Sequence, residues 1–73
     1  MVKKTIGLLN FYRYELVRRS GKYNMIMEAK LAAKSAGLDM ITYRRIMLEY
    51  NHLQRIVETS YGSMDKFMRA YGR

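Results

Sequence analysis

The chain has 73 residues, with fourteen Lys and Arg against six Asp and Glu, a formal net charge of +8 and a sequence pI near 10.1. That length fits one domain near the lower limit for independent folding. The absence of cysteine excludes disulfides, thiolate-held zinc and thiol chemistry. A hydrophobic fraction of 49% is too high for a disordered tail, and the apolar runs are too short for a membrane span.

The sequence has no proline, and its five glycines are well separated, so it reads as helices with a few stops. The first helix is predicted over 5–19, with an apolar face of Ile6, Leu9, Tyr12 and Leu16 joined by Leu8, Phe11 and Val17. Arg18 and Arg19 fall in its last turn, where cations complement the helix dipole, and Gly21 stops it. Asn24 is a suitable N-cap for a second helix over 25–36. Met25, Ile26 and the alanines at 29, 32, 33 and 36 form its apolar side, and Lys30 and Lys34 form a basic pair opposite. Gly37 ends it. Asp39 opens a third helix, whose spacing Tyr43, Ile46, Met47, Tyr50, Leu53, Ile56, Val57 carries it to about 58. A short fourth helix over 63–70 follows the Tyr61-Gly62 stop and carries Phe67 and Met68. The expected fold is all-α: one compact four-helix domain over 1–73, with a helix-turn-helix at about 25–58.

Two short resemblances sit on this frame. The run Ala32–Met47, AAKSAGLDMITYRRIM, resembles the DNA-binding headpiece of the lac repressor family, in which the motif reads V-A-x-x-A-G-V-S-x-x-T-V-S-R-V-V. Ala33, Ala36, Gly37, Thr42 and Arg45 match it letter for letter; Met40 and Ile41 stand where that family presents polar residues, and Asp39 replaces its serine. The resemblance implies that the turn and the start of the following helix face the major groove, with Asp39, Met40, Thr42 and Arg44 as candidate base readers and Arg45 beside them. An arginine fork bonds both O6 and N7 of guanine, which suits Arg44. Lys30, Lys34, Arg55 and the N-terminal Lys3 and Lys4 then serve as phosphate contacts, which position without reading sequence. The second run, Arg18 to Met25, is similar to an R-x-S/T-G-x-x-N-M segment of small phage-encoded helical proteins. From the residues alone it is a helix stop followed by a helix cap.

Catalysis finds little footing. His52 is the only histidine, no phosphate-binding glycine loop is present, and no spacing pairs a nucleophile with a base. No cofactor is expected. The excess of cations has its usual use against a polyanion. The expectation is therefore a cytoplasmic DNA-binding regulator of transcription or of a phage programme, acting on double-stranded DNA by site occupancy, with a homodimer for a two-fold symmetric site. The alternative is a small interaction protein that docks on a host protein or ribonucleoprotein through Met40, Ile41 and nearby tyrosines. The first needs Arg44 and Arg45 on one continuous positive surface with Lys30 and Lys34; the second needs an apolar patch that breaks it.

Overall fold

A computed structural model describes residues 7–72, so Ile6, Lys3 and Lys4 lie outside the described residues. Five α-helices follow one another: α1 Leu8–Ser20, α2 Ala29–Ala36, α3 Met40–Leu48, α4 Tyr50–Tyr61 and α5 Met64–Tyr71. Helices α1, α2 and α3 pack against one another in all three pairings, α4 continues from α3, and α5 closes against α4 and α1.

The expected long third helix is two helices. The break falls at Glu49, whose φ of −101° and ψ of 14° leave the helical region. No proline or glycine marks the spot, and backbone bonds still cross it, from Glu49 N–H to the Arg45 carbonyl and from Leu53 N–H to the Glu49 carbonyl, both 2.9 Å. The cause is tertiary. Tyr43 and Ile46 are the buried residues of α3, which packs on α1 and α2, whereas Leu53 and Val57 are those of α4, which packs chiefly on α5. A straight rod does not serve both partners.

The inward face of α1 also differs from expectation. Leu9 and Leu16 are 48% and 46% exposed, and the buried residues are Phe11, Tyr14, Glu15 and Val17. Large aromatics set this face. Ring contacts run from Tyr43 through Tyr14, Tyr50 and Phe11 to Phe67, with centroid spacings of 5.1, 6.1, 5.6 and 5.8 Å. Tyr61 and Tyr71 pack on Phe67 at 5.2 and 4.8 Å, so their rings fill the edge of the core. Met64 is buried at the start of α5.

The second helix begins four residues late. Asn24 does cap: its Oδ1 accepts the N–H groups of Ile26 and Met27 at 3.0 and 2.9 Å. The turn it caps is separate from α2, because Glu28, at φ −112° and ψ 35°, leaves helical geometry before Ala29. The phage-like segment is accounted for by the same local structure. Ser20 Oγ donates to the Val17 carbonyl at 2.6 Å and accepts the Lys22 N–H at 3.2 Å. Gly21 takes φ 67°, and the Met25 carbonyl accepts the Tyr43 hydroxyl at 2.6 Å.

Candidate nucleic-acid interface

Three residues, Gly37, Leu38 and Asp39, connect α2 to α3, and each has a defined task. Gly37 adopts φ 72°, a conformation a Cβ penalises. Its N–H bonds the Lys34 carbonyl at 3.1 Å, while the Leu38 N–H reaches back to the Ala33 carbonyl at 2.9 Å. This double closure satisfies the last carbonyls of α2. It also turns Leu38 into the core, against the alanine side of α2. Asp39 then caps α3, its carboxylate accepting the Thr42 N–H at 2.7 Å. Small residues make the approach of the two helices possible: Ala32, Ala33 and Ala36 are all buried.

The residues expected to touch nucleic acid are only partly brought together. Lys30 and Lys34 are exposed on α2, and Arg44 is exposed on α3. Arg45 sits differently. It is half-buried and pairs with Glu49 one turn on, at 3.6 Å. Asp39 is spent on the cap, and Met40 and Thr42 are half-buried, so their reach outward is restricted. Arg55 stands apart on α4, where it borders a separate hollow with His52 and Thr59.

Sequence alone does not reveal what lies between the cations. Ile26, Met27, Leu31 and Met40 line an open depression of about 400 Å³, and Lys30 and Arg44 border it. Ile26 and Met27 are 78% and 84% exposed. The positive surface is therefore interrupted by an apolar floor. Ile41 and Leu48, at 77% and 85% exposure, flank Arg44 along the same outer stripe of α3. Their signal was present in the sequence as apolar residues off the buried stripe.

A second feature that sequence reasoning missed is Glu15, which is wholly buried. Arg18 grips it with two bonds, Nε to Oε1 at 2.8 Å and Nη2 to Oε2 at 2.7 Å. Arg19 Nε adds one to Oε2 at 2.8 Å, and the Tyr50 hydroxyl donates to Oε1 at 2.8 Å. Arg19 also reaches across to Asp65 on α5 at 2.9 Å. Burial pushes the Glu15 carboxyl up, but the bonds from Arg18, Arg19 and Tyr50 together outweigh it and hold the group below its ordinary value. Burial, and then the bond to Glu15, push the Tyr50 hydroxyl up to about 12. Two of the fourteen cations are thus committed to a buried carboxylate.

Among the described residues, no group of three His, Cys, Asp or Glu side chains is placed to hold a metal ion. None of their helices is long and apolar enough to cross a membrane. Comparison with models of known families, with curated proteins and with solved structures found no match.

Proposed function

We infer that this chain is a small basic nucleic-acid-binding protein that uses α2, the Gly37–Asp39 connection and α3 as a helix-turn-helix on double-stranded DNA. The apolar floor breaks the continuous positive surface this reading expected, and that break favours a second reading, a small interaction protein that docks on a protein partner; one observation carries the first. Two short helices joined by three residues sit in a three-helix core, and the exposed cations on them, Lys30, Lys34 and Arg44, make no ion pair among the described residues. Lys30 and Lys34 hold phosphates, and Arg44 is the exposed arginine among the expected base readers. Regulation by site occupancy, in a host or a phage, follows from binding without catalysis. A domain this small covers one half-site, so strong specificity requires a homodimer on a two-fold symmetric target.

The test is a fluorescence-anisotropy titration of random duplex, single-stranded DNA and RNA at two salt concentrations. Duplex affinity should fall with a log–log slope of about −0.9 per phosphate neutralised. Replacing Lys30 and Lys34 together should weaken all duplexes alike and flatten that slope. Arg44→Ala should cost about 1–3 kcal/mol on a selected site and much less on random duplex. Absence of binding to any nucleic acid at low salt refutes the assignment.

A further inference from the structure

We propose that the depression between the Asn24 turn and α3 is a docking site for an acidic amphipathic helix of a partner protein, and that this helix and nucleic acid exclude one another. The floor is apolar: Ile26, Met27, Leu31 and Met40. Its outward side chains do not result from a loose segment. Four hydrogen bonds pin the turn beneath them: Ile26 and Met27 N–H to Asn24 Oδ1, Glu28 N–H to the Asn24 carbonyl at 2.8 Å, and Asn24 N–H to Glu28 Oε1 at 2.9 Å. A rigid turn that presents Ile26 and Met27 at 78% and 84% exposure is pre-organised for contact, which lowers the ordering cost of binding. Methionine at two of the four floor positions lets the surface adapt to a partner's side chains.

Charge selects the occupant. Lys30 and Arg44 face the floor from opposite helices, and the one acid there, Glu28, is engaged by the Asn24 N–H. A second copy of this chain carries the same +8 and brings cations toward cations. A phosphate backbone matches the rim but gains nothing from an apolar floor. An amphipathic helix with apolar anchors at i, i+3 or i+4 and i+7, flanked by carboxylates, matches both floor and rim. Seated there, it covers Lys30 and Arg44. The docking stands on its own geometry; only the mutual exclusion rests on the nucleic-acid assignment.

The probe is a synthetic acidic amphipathic peptide of about four helical turns, with leucines on one face and glutamates on the other. It is titrated into the isotope-labelled full chain and followed by NMR. Shifts should cluster at 26–31, 40 and 44, and a scrambled peptide of equal composition should bind at least about tenfold more weakly. Met27→Ser with Leu31→Ser should weaken the peptide about tenfold and change duplex affinity less than about threefold. Lys30→Gln with Arg44→Gln should weaken both ligands, and the peptide should displace a labelled duplex. No peptide binding, equal binding of the scrambled peptide, or shifts elsewhere would overturn the docking. If the peptide binds and no nucleic acid does, the docking is upheld and the exclusion is overturned.

Discussion

The two ends of this molecule solve opposite problems. Where α1 meets α4 and α5, the interior holds large rings and a buried carboxylate whose hydrogen bonds are all met by Arg18, Arg19 and Tyr50. Where α2 meets α3, α2 buries three alanines joined by Leu38 and α3 buries Tyr43 and Ile46, while Ile26, Met27, Ile41 and Leu48 face outward. The first end buries a charge among its rings; the second sets a small-residue helix against Tyr43 and Ile46 and leaves four other bulky side chains outside. Much of the exposed apolar surface lies at the second end.

The largest expected effect strikes the first end. Removing Arg18 and Arg19 together leaves Glu15 buried with only the Tyr50 hydroxyl as partner, and losing the compensating charge at such a site costs about 3–5 kcal/mol. Urea denaturation measures it. The paired variant Glu15→Leu with Tyr50→Phe removes the charge and its hydroxyl donor at once, and should be neutral or stabilising by about 1–4 kcal/mol. A large loss in both variants would mean that packing, and not charge compensation, holds this end.

The same cluster sets the pH limits. The Glu15 carboxyl is lowered in the fold, so its contribution is present above the ordinary carboxylate value and is lost as pH falls through the depressed one. Tyr50 is raised from 10.0 to about 12, so its contribution is complete below 10.0 and disappears as pH climbs toward about 12. Thermal melts across pH should show both limbs in the native chain. The double replacement of Glu15 and Tyr50 should flatten both.

How much of this was legible from sequence follows the same division. Stops and caps were legible because their chemistry is local. Gly21, Asn24, Gly37, Asp39 and Ser63 all act at the turns where their types belong, and Ser63 caps α5 by accepting the Lys66 N–H at 3.1 Å. The break at Glu49 was not legible, because no local residue causes it; it answers to which neighbours Ile46 and Leu53 must reach. Glu15 was hidden because its buried stripe on α1 contains a charge, which a hydrophobic pattern scores as outside. Of the expected interface residues, Lys30, Lys34 and Arg44 are exposed, whereas Arg45 is half-buried beside Glu49, a pairing four residues apart that only the folded helix displays.

The next effect tests the connection between the two regions. Gly37→Val should destabilise by more than about 1 kcal/mol, because a β-branched residue resists φ 72°. A Cβ at that position meets nothing within 4 Å, so the cost is backbone conformation and not a clash. Gly37→Asn, which tolerates the left-handed region, should recover much of the loss. If valine and asparagine cost the same in urea denaturation, the positive φ is not what this position supplies.

The smallest stability effect is the most telling about the division of labour. Ile26→Ser, Met27→Ser and Leu31→Ser each remove an apolar side chain that is more than half exposed. Surface changes away from caps and networks usually shift stability by no more than about 0.5 kcal/mol. Each of the three should fall in that range, while Phe67→Ala, at a fully buried centre of the ring cluster, should cost about 3–5 kcal/mol. Asn24→Ala belongs between them, because it releases the Ile26 and Met27 N–H groups and costs about 0.5–2 kcal/mol as a lost cap. If the three serine variants unfold as readily as Phe67→Ala, then Ile26, Met27 and Leu31 are core residues, and the α2–α3 end is held together as tightly as the other.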